Sequence, residues 1–341
     1  MRAHRSMAAA AAVAASALLL PTAYASAFTA APVLSRPSLS LSVRRRRALL
    51  FASTRSLERP VVVCPGFGND SVDYGPLSAA TTSPGLLASL ARRTSAGVTV
   101  VPVQRIDWLQ VFAKGLVSLS FWRGTLTPYE PPFNWYLEAL EASVEAAYAE
   151  AGGKRVVLVA HSAGGWLARA WLGTPGAADR VCGLVTLGSP QLPAAAPLPD
   201  MTRGALRYVA EAPTCAGTPL SDSVAYVTVA SDAVTGNEAA ERGSRELTAF
   251  TSYSMVCGDG AVSGDGITPL QSAHLEGALQ LTLGDVLHSI DTPEEWYGAE
   301  SGIDQWWDKA CREVEKREPG AAGPSLPAGL LWFEGLLGGS E

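Results

Sequence analysis

The sequence predicts an α/β fold in which a mainly parallel central sheet is flanked by helices on both faces. Three observations predict it. Short apolar runs bounded by turn residues recur from about residue 59, helical stretches separate them, and the leading run is apolar throughout, as a strand buried on both faces is. That run is Val61-Val62-Val63-Cys64, held between Pro60 and Pro65. A helix is expected over residues 85–95 and a second strand over Val98–Val103. Asn134–Glu150, rich in Ala and Glu, reads as an amphipathic helix stopped by Gly152-Gly153. Arg155–Ala160 reads as a strand and Gly164–Leu172 as a helix with Gly173 past its end. Further strands are expected at Val181–Leu187, Val224–Ala230 and Leu279–Val286, giving an eight-strand-like core with no internal repeat.

The stretch from Asp107 to Tyr136 departs from this alternation. It holds eight aromatic residues, Trp108, Phe112, Phe121, Trp122, Tyr129, Phe133, Trp135 and Tyr136, in a chain that is 8% aromatic. Pro128, Pro131 and Pro132 prevent it from being one regular element. It reads either as a flap packed on its own domain or as a cap insertion, about 107–136, that walls an apolar binding site.

The N-terminus has a different composition. Residues 1–57 contain no acid, and an apolar run from Met7 to Leu20 follows Arg2 and Arg5 and leads to Ala25-Ser26-Ala27. This order reads as a signal peptide over 1–27. Residues 28–57, rich in Ser, Pro and Arg and including Arg44-Arg45-Arg46-Arg47, have the composition of a transit peptide. The junction Ala25-Ser26-Ala27-Phe28 resembles the two-part presequence of algae with complex plastids, which implies delivery to a plastid, with a secreted or endomembrane protein as the alternative. The body of the protein is expected over 58–318 and a Gly-, Pro- and Leu-rich tail over 319–341.

Without the eight arginines of 1–57, 18 Lys and Arg stand against 32 Asp and Glu, a net charge of −14. Such a surface repels nucleic acid and gives no electrostatic pull toward anionic lipid, so any peripheral membrane contact would have to be apolar. No run after the presequence supplies the roughly 20 apolar residues of a membrane span. The five cysteines, Cys64, Cys182, Cys215, Cys257 and Cys311, form no CxxC pair, which argues against zinc and dithiol chemistry. Buried thiols are expected, with a Cys215–Cys257 bridge if the compartment oxidises.

Ala160-His161-Ser162-Ala163-Gly164 lies between a predicted strand and a predicted helix. It is the G-x-S-x-G elbow with Ala in the first place. A serine hydroxyl presented on so tight a turn needs small neighbours, and it needs a base to become a nucleophile. Of the four histidines, His4 lies in the presequence and His161 adjoins the serine, which leaves His274 and His288. His288, directly after the last expected strand, is the preferred base. Two carboxylates compete to orient it, Asp232 at the end of the strand Val224–Ala230 and Asp265 within Gly264-Asp265-Gly266-Ile267-Thr268-Pro269, with Asp259 behind them; the Gly-Asp-Gly-Ile-Thr-Pro string resembles the acid turn of many lipases, which makes Asp265 the expected one. The oxyanion donors are the backbone N–H groups of Ala163 and of Phe67, the latter in the Pro65-Gly66-Phe67-Gly68 turn.

With these residues in place the chain, from about 59 to 290, resembles the α/β-hydrolase superfamily of lipases and esterases. Leu184-Val185-Thr186-Leu187-Gly188-Ser189-Pro190 also resembles the strand and turn after the nucleophile helix of lipases. The resemblance implies an α/β-hydrolase fold and cleavage of a carboxylic ester or thioester through an acyl-enzyme on Ser162. A small-molecule or lipid ester with an apolar acyl group is the expected substrate. No cofactor or metal is expected, since the chain has no HExxH, P-loop or properly placed GxGxxG motif. The same residues also suit acyl transfer to an acceptor other than water, and a catalytically silent binding protein is the rival from outside enzymology.

Overall fold

A computed structural model describes residues 55–76, 84–194, 200–212 and 223–317. The expected signal and transit segments, apart from residues 55–57, and the expected C-terminal tail lie outside them. Eight strands occur among the described residues: β1 (Val61–Cys64), β2 (Val98–Val100), β3 (Val156–His161), β4 (Val181–Leu187), β5 (Ala225–Ser231), β6 (Val234–Thr235), β7 (Ser263–Gly264) and β8 (Leu279–Leu283). Six of them form one sheet in the order β2-β1-β3-β4-β5-β8, parallel throughout. The expected eight-strand-like core is thus a six-stranded sheet among the described residues. β6 and β7, two residues each, pair only with one another and stand apart as an antiparallel ribbon.

The helices are α1 (Gly85–Ala91), α2 (Leu109–Gly115), α3 (Leu119–Arg123), α4 (Pro131–Glu150), α5 (Ala163–Leu172), α6 (Ala205–Glu211), α7 (Arg245–Cys257), α8 (Leu270–Ala273) and α9 (Glu300–Glu315). Every residue of β1, β3 and β4 is buried, which is why these runs are apolar without alternation. Successive side chains still leave on opposite faces. Val62, Cys64, Leu158, Ala160 and Leu184 join a core with α4, α5 and the aromatic segment. Val61, Val63, Val157, Val159 and Val185 join a second core with α1 and α9. α9 has no counterpart among the expected elements, although Ile303, Trp306, Trp307, Ala310 and Val314, all buried, recur at helical spacing. α4 begins at Pro131, earlier than expected, because proline is accommodated in the first turn of a helix.

The aromatic stretch resolves into a short turn of helix at Arg105–Trp108, then α2, α3 and the first turns of α4. Phe133, Trp135 and Tyr136 therefore belong to a helix that packs on the sheet. Trp108 links the two parts, with its ring 5.2 Å from Trp135 and 5.5 Å from Tyr136. Cys64, Cys182 and Cys311 are buried and Cys257 is half-buried; its candidate partner Cys215 lies outside the described residues.

The chain runs outward from β1 to β2 and then recrosses to β3, so the sheet changes direction between β1 and β3. In open parallel sheets such a change of direction, at the carboxyl ends of the strands, is the usual place for a ligand site. Cys64 pairs with Ala160, so the two ends are level. The Pro65–Gly68 turn and Ser162 are the first residues past them. Trp306 fills the opposite core with no exposure, and Trp306→Ala is expected to cost about 3–5 kcal/mol, measurable as a lowered denaturant midpoint.

Candidate active site

β3 ends at His161 and α5 begins at Ala163, which leaves one residue to turn the chain. Ser162 does so with φ 51° and ψ −125°, one of two non-glycine residues at positive φ among those described. Such a conformation costs about 1–3 kcal/mol and persists only where the surroundings enforce it. Here the Ser162 N–H donates to Leu187 O at 3.0 Å, and the Gly165 N–H donates to Ser162 O at 3.0 Å. Close packing completes the enforcement. A Cβ on Gly164 would lie 2.5 Å from Cys64 O, and one on Gly66 would lie 2.9 Å from the Ser162 Cβ. A Cβ on Gly165 would collide with the Ser189 side chain. The elbow and the turn after β1 thus rest directly on each other.

His288 lies in the loop after β8, with Nε2 3.0 Å from Ser162 Oγ and Nδ1 2.8 Å from Asp265 Oδ2. Asp265 is buried. Its Oδ2 also accepts from the Tyr297 hydroxyl at 2.9 Å, and its Oδ1 accepts from the N–H groups of Ile267 at 3.0 Å and Thr268 at 2.7 Å. A carboxylate receiving these donors leaves the proton on Nδ1 of His288, so Nε2 presents a lone pair to the serine hydroxyl. The His288 N–H donates to Asp265 O at 3.0 Å, so backbone and side chain tie the two residues together across 23 positions. Gly188 must be glycine here, for φ is +57° and a Cβ would lie 2.5 Å from Asp265 Oδ2. Burial first, then the Asp265 charge, pushes the Tyr297 phenol upward, so it remains a donor.

The other candidates lie elsewhere. Asp232 is exposed one residue past β5, where its N–H donates to Leu283 O at 3.1 Å and holds it beside β8. Asp259 is also exposed and accepts from the Ala261 N–H at 2.9 Å. His274, half-buried, bridges β5 and β8 through Thr228 Oγ1 at 2.9 Å and Thr282 Oγ1 at 3.0 Å. Of the three acids considered, the structure brings Asp265 to His288. Ala163 opens α5 beside the serine, and the Phe67 turn is held over it by two tyrosines: the Gly66 N–H donates to the Tyr74 hydroxyl at 2.8 Å, and the Tyr136 hydroxyl donates to Pro65 O at 2.8 Å. Among the described residues no group of three or more His, Cys, Asp or Glu is placed to hold a metal ion.

His161 adjoins the serine and has no catalytic role predicted from the sequence, yet it joins three parts of the site. Its Nε2–H donates to the backbone oxygen of His288 at 3.0 Å, which leaves Nδ1 to accept from the Tyr74 hydroxyl at 2.9 Å. Tyr74 in turn accepts from Gly66 and from Asn69 Nδ2, the latter at 3.0 Å. One buried network therefore links the base loop, the elbow and the turn after β1. Burial, and then the neighbouring His288, push the His161 imidazole well below the ordinary histidine range. Nothing in the sequence marks Tyr74 or Tyr297 for these roles, because the bonds join positions 87 and 32 residues from their partners.

The chain matches the family model described as PGAP1-like alpha/beta domain over residues 134–231, from α4 through β5 and across the elbow. No curated protein matches it. Among solved structures it is similar to the mature form of a Bacillus licheniformis lipase, at 14% identity over 72% of this chain and 87% of that one, with a TM-score of 0.41. A Lactococcus lactis sugar hydrolase gives 11% identity over 78% and 93%, with a TM-score of 0.40. A Paleococcus ferrophilus monoacylglycerol lipase gives 12% over 77% and 97%, with a TM-score of 0.35. The parallel sheet, the strand–Ser162–helix elbow and the chain order Ser, Asp, His define an α/β-hydrolase fold.

Burial lowers the pKa of both His161 and His274, so below about pH 6.5 the folded protein binds fewer protons than the unfolded chain. Their contribution to stability is complete above that pH and is lost as pH falls toward the lowered values. Thermal melts are expected to hold a steady midpoint between about pH 7 and pH 8 and to drop below about pH 6.5, with a shallower drop in His161→Gln.

Proposed function

We propose that the protein is a serine hydrolase that cleaves a carboxylic ester or thioester through an acyl-enzyme. The observation that carries this reading is the run of hydrogen bonds from Ser162 through His288 to Asp265. As His288 Nε2 takes the hydroxyl proton, Ser162 Oγ attacks the acyl carbon. The carbonyl oxygen becomes an oxyanion facing the N–H groups of Ala163 and Phe67. His288 then protonates the departing alkoxide or thiolate, and in the second half it draws a proton from the water that releases the acid. Asp265 keeps the imidazole in its tautomer and balances its transient charge. The rings of Phe67, Trp108 and Phe112 beside the oxyanion turn favour an apolar acyl group, with a lipid ester first.

A fluorophosphonate probe tests the nucleophile: labelling is expected in the native chain and absent in Ser162→Ala. His288→Ala and Asp265→Asn are expected to lower kcat by about 10⁴-fold or more, whereas Asp232→Asn keeps the native rate. A normal rate in Asp265→Asn rejects the assignment of the acid, and transfer of the acyl group to an added alcohol in place of water would make the protein an acyltransferase. We also propose that residues 1–57 direct the protein to a plastid. Fluorescence of a 1–57 fusion is expected in that organelle, and retention along the secretory route would reject the proposal.

A further inference from the structure

Asp265 Oδ2 serves two donors at once, the His288 Nδ1–H at 2.8 Å and the Tyr297 hydroxyl at 2.9 Å. The three groups converge on one spot, for a Cβ on Gly188 would lie 2.5 Å from Asp265 Oδ2, 2.8 Å from Tyr297 Cε2 and 3.0 Å from His288 Nδ1. Tyr297 is held firmly there. It is fully buried in the core with Ile303 and Trp306, and its carbonyl accepts from the Trp306 indole N–H at 3.0 Å. A β-bridge from Leu287 to Trp296 ties the residue before His288 to the residue before Tyr297. Yet the carboxylate is aimed without the hydroxyl. Its Oδ1 already receives the Ile267 and Thr268 N–H groups, and the Asp265 carbonyl accepts from the His288 N–H. A phenylalanine would fill the same place without burying a hydroxyl, which costs free energy unless it is hydrogen-bonded. What the hydroxyl adds is a partial positive charge on the oxygen that His288 uses.

That charge has a chemical consequence. The Asp265 carboxylate stabilises the imidazolium that forms when His288 takes the serine proton, and in a buried site the attraction is little screened. A second donor on the same oxygen draws off part of the negative charge, so the imidazole holds its proton less firmly. General base catalysis favours such a limit. A base that is already protonated near the working pH cannot accept, and one that grips its proton is slow to pass it to the leaving group. The other ionisable groups around His288 leave this part to Tyr297. β3 brings His161, its ring 4.9 Å away and kept neutral by burial, with Tyr74 behind it. α7 brings Tyr253, whose hydroxyl accepts from the Gly266 N–H at 2.7 Å and whose phenol burial pushes upward. Asp291 and Glu295 in the base loop, and Asp232 and Asp285 just past β5 and β8, are exposed.

We propose that Tyr297 tunes the proton affinity of His288 by sharing the carboxylate oxygen on which the imidazole leans. Tyr297 is in this a positioning residue, acting through Asp265 rather than on the substrate. Its meaning for catalysis rests on the proposed hydrolase; its effect on the imidazole does not.

Nitrogen NMR of the histidine-labelled full chain over a pH series tests it, with the His288 signal identified by its loss in His288→Gln. The pH dependence of kcat/KM for a short soluble ester is measured in parallel. Tyr297→Phe is expected to move the His288 titration and the acid limb of kcat/KM to higher pH by about 0.5–1, with the plateau kcat within about tenfold of native. 3-Fluorotyrosine at position 297 keeps the ring's shape and its hydroxyl and donates more strongly, so it is expected to move both to lower pH, and it serves alone if the phenylalanine variant does not fold. In an Asp265→Asn background the movement caused by Tyr297→Phe is expected to vanish. If Tyr297 only held Asp265 in place, Tyr297→Phe would free the carboxylate, move the titration to lower pH and reduce kcat as Asp265→Asn does. That result, or a stationary titration with fluorotyrosine, overturns the inference. A native chain without turnover whose His288 titration still moves as expected rejects the hydrolase and leaves the tuning in place, and turnover with a stationary titration does the reverse.

Discussion

The site depends on a turn made with a single residue. Because β3 runs into α5 with only Ser162 between them, the backbone there takes a conformation that L-residues avoid, and neighbouring chain must press in to keep it. The pressure comes from the carbonyls of Cys64 and Pro65 against Gly164 and from Gly66 against the serine itself. The same contacts bring the turn after β1 beside the hydroxyl, so the strain and the candidate oxyanion turn share one physical origin. The direction change between β1 and β3 makes this approach available, since the connections from the two strands run to opposite sides of the sheet order.

Around that turn the polar groups are arranged in two layers. Asp265 receives two backbone N–H groups, a tyrosine hydroxyl and the His288 ring, so its orientation is over-determined. Beneath it, His161 spans from the backbone of His288 to Tyr74 and thence to Gly66. This second network operates with a neutral imidazole, because a proton on Nδ1 would face the Tyr74 hydroxyl, which already accepts two bonds. Movement of the base loop, the elbow or the β1 turn therefore disturbs all three.

The exterior follows a different rule. The helices beside the β1 turn expose Leu109, Leu119 and Trp122, with Ile106 just before them and Leu116 and Val117 between them. Their inner faces complete the core through Trp108, Val111 and Phe121, so the aromatic stretch joins a packing role to a free apolar surface.

Much of this was legible in the amino-acid order. Val61–Cys64 and Val181–Leu187 announce strands because a strand buried on both faces has to be apolar at every position. Ser162 stands out because strand, small residues and helix follow one another without a gap. Nearness along the chain carried these readings. The sequence favoured Asp265 over Asp232 through the likeness of its turn alone; the packing of that turn against Gly188 and Tyr297 is what aims the carboxylate at His288. It could not place His161, Tyr74 and Tyr297 in one network, or show which side of Ile106–Val117 faces water. Those outcomes depend on contacts between residues tens of positions apart, and the tertiary structure alone determines such contacts.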